Sequence, residues 1–156
     1  MRAMNADTDI NVQIMAQIGA KARTAAAALA HLPASARNSA LVQAAAALRA
    51  NAADILAANT RDMESFKGTA SFGDRLLLNE ARLEAMARGL EEVAALPDPL
   101  ARTLAEWTRP NGLKISRIPQ PLGVLGMIYE SRPNVGADAA AIAIKSGNAI
   151  ILRGGS

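Results

Sequence analysis

"PLGVLGMIYESRPNVGADAAAIAIKSGNAIILRGGS", residues 121–156, sets two short apolar runs on either side of an alanine-rich segment. The first run, Pro121 to Tyr129, is apolar at almost every position, the pattern of a strand buried on both faces of a parallel sheet, where neither face meets water. Polar residues Glu130 to Asn134 break it, and the spacing then predicts a helix from about Val135 to Lys145. Gly147 and Asn148 supply a C-cap, and Ala149-Ile150-Ile151-Leu152-Arg153 reads as a second apolar strand. Strand, helix, strand is a βαβ unit, expected to cross over with a right hand.

That topology says where a ligand would bind. Parallel α/β sheets bind outside the carboxyl ends of their strands, and both polar clusters fall there: Glu130-Ser131-Arg132-Pro133-Asn134 after the first strand, Arg153-Gly154-Gly155-Ser156 after the second. The Ser131 to Asn134 turn leads into a helix N-terminus, where unpaired N–H groups and the helix dipole favour an anion. Arg132 adds a guanidinium fork suited to phosphate or carboxylate. A plainer reading stands beside this one, in which Asn134 is only the helix N-cap and Arg132 only an ion-pair partner of Glu130 or Asp138. Arg153-Gly154-Gly155 can equally be a solvated turn. Neither GxGxxG nor GxxxxGK[ST] occurs, so the two commonest nucleotide-binding motifs are absent.

Upstream, "EWTRPNGLKISRIP" predicts a β-hairpin turning at Pro110-Asn111-Gly112, with Leu113 and Ile115 alternating against Lys114 and Ser116. Exposed hairpins of this kind pair with other chains by strand addition. Trp107 within it reads as a packing anchor or interface residue. The first hundred residues are rich in alanine and read as helices. Ile10, Ile14, Ile18, Ala22, Ala25 and Leu29 form one stripe ending near Pro33. Ser35 is placed to cap a second helix with a stripe of Leu41, Ala45, Leu48, Ala52 and Ile55, leaving Arg37, Gln43, Arg49 and Asp54 for the wet face. Leu83, Met86, Ala87, Leu90, Val93 and Ala94 mark a third helix between Asn79 and the break at Pro97-Asp98-Pro99. These helices must pack on one another or on the later part of the chain.

Composition narrows the function classes. The 156 residues contain no cysteine, so no disulfide, thiolate metal site or thiol nucleophile lies among them. His31 is the lone histidine, and no metal site is expected. Glu91-Glu92 and Asp62/Glu64 read as solvated charges. The net charge is +3, no two of the 17 Lys and Arg residues are adjacent, and aromatics make up 3%. Nucleic-acid binding, which clusters cations and stacks bases on aromatic rings, is therefore not expected. No stretch approaches the roughly 20 apolar residues of a membrane span, nor does the N-terminus show a signal-peptide core, so the default expectation is a soluble cytoplasmic protein.

"YESRPNV" and "KSGNAIILRGGS" resemble the γ-glutamyl phosphate reductase (glutamate-5-semialdehyde dehydrogenase) family of the aldehyde dehydrogenase superfamily. The similarity runs continuously from about Asp74, beginning with "DRLLLNEARLEAMARGLEEVAALPDPL", to Ser156; the first seventy residues share only helical character. The resemblance implies an α/β fold with N-terminal helices over 1–100, a hairpin of the oligomerisation type at 101–119, and the incomplete start of a Rossmann-like NADP-binding domain at 120–156. It implies NADPH-dependent reduction of L-glutamate 5-phosphate to L-glutamate 5-semialdehyde and phosphate, in proline biosynthesis, by a homo-oligomer.

In that chemistry a cysteine thiolate attacks the acyl phosphate, and the thioester accepts hydride from the nicotinamide. Arg132 matches the position where the wider superfamily has an oxyanion-donating Asn; a guanidinium there also suits a departing phosphate. Arg153 matches a superfamily Lys that contacts the cofactor's adenosine ribose, and as Arg it favours the 2′-phosphate of NADPH. Gly154, Gly155, Ser156 and Ser131 complete the implied cofactor set, with Asn134 beside Arg132 for substrate. The cysteine is missing from these residues, so the sequence is expected to be an N-terminal fragment, inactive alone. Two other readings stay open: a non-catalytic module that binds an anion or pairs with a longer homologue, and another acylating aldehyde dehydrogenase that uses a CoA thioester.

Overall fold

Alanines at facing positions let three helices approach closely enough to share one core. The computed structural model describes residues 6–130 and 132–155, with side chains from residue 10 onward. In chain order the elements are α1 (Ala6–His31), α2 (Ala34–Ala50), α3 (Ala52–Ser65), α4 (Ala70–Leu76), α5 (Glu80–Ala95), β1 (Ala105–Thr108), β2 (Lys114–Arg117), β3 (Val124–Ile128), α6 (Pro133–Lys145) and β4 (Ala149–Arg153). Leu41 and Ala45 of α2, Ala87, Leu90 and Ala94 of α5, and Ala141 of α6 are buried together, with Leu48, Val93 and Ile144 packed around them. A second cluster of Leu78, Leu83 and Met86 meets Ile55 and Leu56 of α3 and Ala137 of α6. The stripe expected on α5 is therefore the buried one, and the Asn79 side chain caps that helix by accepting the Arg82 N–H.

The remaining helices correct the sequence reading in instructive ways. Ser35 is not a cap: α2 starts at Ala34, two residues before the start a Ser35 cap implies, and the Pro33 carbonyl accepts the N–H groups of Ala36 and Arg37. The predicted second helix is broken at Asn51, whose side-chain amide returns to the Ala47 carbonyl (2.7 Å), so the stripe is divided between α2 and α3. The short helix α4 was not expected. On α1, Ala22 and Ala26 are buried rather than Ala25, and Ile10, Ile14 and Ile18 are exposed. The reason is length. A helix of 26 residues spans about 39 Å, and the five-residue strands it packs against run about 17 Å.

Arg37 is the largest correction. Expected on the wet face, it is 3% exposed. Its guanidinium donates to the Lys145 carbonyl (3.1 Å) and to Asp98 (2.9 Å). Lys145, 5% exposed, donates in turn to the Ala94 carbonyl (2.8 Å) and to Asn38 Oδ1 (2.7 Å). Ala94 and Lys145 lie in the last turns of α5 and α6, where carbonyls lack helical partners and the dipoles leave negative charge. Each buried cation thus answers another helix's open end.

The βαβ unit forms as expected. β3 and β4 are parallel, with Val124 opposite Ala149 and Ile128 opposite Arg153. Helix α6 begins at Pro133, two residues before the predicted start, because proline fits the first helical position without a lost hydrogen bond. It ends in a Schellman turn: Gly147, at φ 74°, donates to Ile144, and Asn148 donates to Ala143. The buried Asn148 side chain then accepts the Gly123 N–H (2.8 Å), joining the end of α6 to the start of β3. The outer face of β3 is not covered: Ile128 is 86% exposed, against the expectation of burial on both faces, because this sheet has two strands. The hairpin also forms as read, with β1 antiparallel to β2, Trp107 opposite Ile115, and Gly112 at φ 84° in the turn.

Truncating Arg37 strands the Lys145 carbonyl and leaves Asp98 without its cation. Arg37→Ala should cost about 3 kcal/mol in denaturant unfolding; a loss no larger than that of an exposed alanine substitution would show the cluster to be incidental. A second ion-pair group sits on the α2–α5 surface, where Arg49 grips both Glu84 (2.9 Å) and Glu91 (2.5 Å). Hydrogen bonding to Arg49 holds both carboxyls below their ordinary value of 4.5. A lowered folded-state value stabilises above the ordinary value, and that stabilisation disappears as pH falls through the lowered one. Arg49→Met should therefore lower the melting temperature at pH 7, and the gap from wild type should close in acid; a gap constant from pH 7 to about pH 2.5 would refute the coupling.

Candidate functional site

The register of β3 and β4 brings the two polar clusters to one edge. The Tyr129 N–H donates to the Arg153 carbonyl (3.0 Å), so the segments that begin at Glu130 and at Arg153 leave the sheet side by side. Between them lies Tyr129. A Cβ at Gly136, in the first turns of α6, would stand 3.1 Å from the Tyr129 hydroxyl oxygen, and one at Gly154 would stand 3.5 Å from it. A side chain at Gly136 would therefore crowd this ring, whereas one at Gly154 would only touch it.

Arg132 is the N-cap of α6, and its side chain makes no capping hydrogen bond among the described residues. Asn134 is not the N-cap of the plainer reading, because α6 already begins at Pro133, and its amide donates along the helix to Asp138 (3.0 Å). Arg132 forms no ion pair among the described residues, with Glu130, Asp138 or any other carboxylate. Its exposed guanidinium borders a cleft of about 420 Å³ with Asp74, Arg75, Arg82, Met86, Asn134 and Asp138. It also borders one of about 390 Å³ with Asn59, Asp62, Tyr129, Gly154 and Gly155. Arg132 and the glycine pair thus converge. Arg153 stays exposed at the strand end, its guanidinium donating to the neighbouring Gly154 carbonyl, and it is not among the residues bordering those two clefts. Ser131 and Ser156 lie outside the described residues.

One wall of the larger cleft is α4, which is held from several sides. Phe66 and Phe72 stack with ring centres 5.8 Å apart, and buried Gly73 lies against Phe66. Asn59, itself buried, holds both sides of the α4–α5 connection, donating to the Leu76 carbonyl (2.9 Å) and accepting the Leu78 N–H (2.7 Å). Arg82 completes the brace by donating to the Leu77 carbonyl (2.7 Å) and pairing with Asp74 (2.8 Å).

No protein-family model matches the chain. A γ-glutamyl phosphate reductase from Acidiphilium cryptum is 66% identical over 143 residues, 92% of this chain and 34% of that protein. One from Paramagnetospirillum magneticum is 58% identical over 156 residues, 98% of this chain and 37% of that protein. The chain belongs to the γ-glutamyl phosphate reductase family. The crystal structure of the Thermotoga maritima member superimposes with a TM-score of 0.84 at 39% identity, covering 86% of this chain and 33% of that one. The Saccharomyces cerevisiae member gives 0.84 at 37% identity, covering 90% and 36%. The chain therefore spans about a third of the length of the curated relatives it matches. The family similarity also extends over the alanine-rich first seventy residues, where the sequence alone indicated only helical character.

Residue-by-residue reasoning passed over Arg75, Asn59 and Tyr129. Seven residues with an internal glycine are too few for helical periodicity to expose α4. Asn59 carries no local sign that its amide is buried. Asn59→Ala leaves the buried Leu78 N–H without an acceptor, so stability should fall by about 2 kcal/mol and exchange of the Leu78 amide should accelerate; unchanged exchange would show that α4 is not held by this side chain.

Proposed function

We propose that this chain forms the anion- and cofactor-facing part of an enzyme that reduces L-glutamate 5-phosphate with NADPH to L-glutamate 5-semialdehyde and phosphate, a step of proline biosynthesis. The observation that carries the reading is the exposed Arg132 guanidinium, unpaired among the described residues, at the start of α6 on a cleft that Gly154 and Gly155 also border. A helix start offers N–H donors and a positive dipole end to the same anion that a guanidinium attracts. The family similarity at 53–66% identity supports the choice of acyl phosphate as that anion.

In this reading Arg132 holds the acyl-phosphate oxygens and stabilises negative charge that grows as phosphate departs. Asn134, fixed by Asp138, lines the same cleft on the substrate side. The residues at the strand ends fit a dinucleotide: Gly154 and Gly155 present no Cβ, and Arg153 offers an exposed guanidinium for the 2′-phosphate. Ser131 and Ser156 are assigned to the cofactor by family resemblance. NADPH, when bound, supplies the hydride. The nucleophilic cysteine of the family's chemistry is not among these 156 residues, so the reaction requires a cysteine from outside them. No helix among the described residues is long and apolar enough to cross a membrane; we place the enzyme in the cytoplasm, as a homo-oligomer that uses the β1–β2 hairpin.

Arg132→Asn in the enzyme that carries this sequence tests the reading. Turnover of the acyl phosphate should fall on the order of 100-fold while NADPH affinity is retained. Undiminished turnover would refute the role, and turnover of a CoA thioester in place of the acyl phosphate would identify a different acylating dehydrogenase.

A further inference from the structure

Arg75 has no part in the reading above, yet it borders two clefts that Arg132 also borders. One is the cleft between α4, α5 and the start of α6. The other, of about 370 Å³, is bordered by Phe72, Met127, Tyr129, Glu130 and Val135 as well. Arg75 and Arg132 are the two residues that line both, so these side chains stand where the clefts adjoin. We propose that Arg75 and Arg132 act as a pair, two guanidinium groups that together bind the dianionic phosphoryl group of the substrate. The proposal rests on the acyl-phosphate reading above.

Three observations carry it. First, the neighbouring cation is already committed: Arg82 pairs with Asp74 and donates to the Leu77 carbonyl, whereas Arg75 forms no ion pair among the described residues. Because Arg82 answers Asp74, the carboxylate next to Arg75 in sequence does not compete for it. Asp138, across the cleft, accepts the Asn134 amide. Second, α4 is anchored by the Phe66–Phe72 stack and by the buried Asn59 amide, so Arg75 is carried on a fixed element and loses less freedom on binding. Third, a phosphoryl group of nearly two negative charges is matched by two guanidinium forks and only half matched by one. A carboxylate asks for less.

The test uses the reaction in the direction of semialdehyde oxidation, with inorganic phosphate and NADP as co-substrates, in the enzyme that carries this sequence. Arg75→Gln should raise the KM for phosphate roughly tenfold or more and leave that for the semialdehyde unchanged, while Arg75→Lys, which keeps the charge, should recover part of the loss. A rise confined to the semialdehyde KM would assign Arg75 to the α-carboxylate and overturn the proposal, as would no change in either constant. Titration calorimetry with inorganic phosphate supplies a reading independent of turnover. If the wild type shows no phosphate-dependent oxidation, the reaction assigned above is wrong, and the pair is judged by binding alone. Phosphate affinity lowered to a similar extent by Arg75→Gln and Arg132→Gln upholds the pair; affinity unchanged by Arg75→Gln overturns it. Matching thermal melts of Arg75→Lys and wild type keep a folding defect from being mistaken for either result.

Discussion

Two buried cations at the ends of other helices hold this fold together. Arg37, near the start of α2, reaches the last carbonyl of α6 and the aspartate that follows α5; Lys145, at the end of α6, reaches a carbonyl in the last turn of α5. Among the described residues one carboxylate, Asp98, takes part directly; the other acceptors are neutral oxygens. Burial of two cations against one anion is otherwise very unfavourable. Here two of the acceptors, the Lys145 and Ala94 carbonyls, are groups that a helix C-terminus leaves without partners, and Asn38 adds a side-chain oxygen, so much of the desolvation is offset in one place, although Arg37 Nε is buried without a partner among the described residues. The directionality of these bonds sets which ends of α2, α5 and α6 coincide, a choice that the alanine-rich interface alone, with little shape to distinguish one register from another, would leave loose.

From that corner the geometry runs to the site. Immediately after Lys145, the Schellman turn delivers Asn148 to the Gly123 N–H, and the first pair of the ladder, Val124 with Ala149, comes directly after it. At the far end of the ladder the same register places Ile128 beside Arg153, and the polar clusters leave the sheet together. At the opposite end of α6 the helix starts against α5 and across a cleft from α4, and Arg75, Arg82 and Arg132 all border that cleft. The position of the anion-binding residues is thus set from two sides, by the strand register and by the helical packing.

Local period and turn chemistry account for the features that were legible in the sequence. The apolar stripe of α5, the hairpin around Gly112, the βαβ order and the convergence of the two polar clusters are all properties of short stretches and their spacing. Features that depend on partners distant in the chain were not legible. Arg37 looks like a surface residue until the carbonyl 108 positions away is known, and Asn59 looks like any helical asparagine until the α4–α5 connection folds over it. Ser35 and Asn134 misled for the complementary reason: each is a good cap by type, but Pro33 and Pro133 had already determined where those helices start. At the site, Arg132 stood out because it precedes a proline and a helix after a strand. Arg75 did not, since α4 is too short to show a period.

The same division explains how a pair of parallel strands keeps its register here. Parallel sheets are ordinarily covered on both faces and read as continuous apolar runs, and the runs 124–128 and 149–153 fit that pattern although Ile128 is almost fully exposed and Gly126 is open on its side. Packing on that open face therefore does not hold the register at the carboxyl end. The amino end does: both the N–H and the carbonyl of Gly123 are engaged, by the Asn148 side chain and the Ala149 N–H. With φ at 111°, Gly123 presents both groups to the end of α6 in a conformation that a residue with a Cβ rarely adopts. The ladder is started by a backbone clamp on a glycine and continued from there to Arg153. The placement of the site's strand ends then depends on the helix C-terminus 25 residues along the chain from Gly123, more than on the apolar character of the strands themselves.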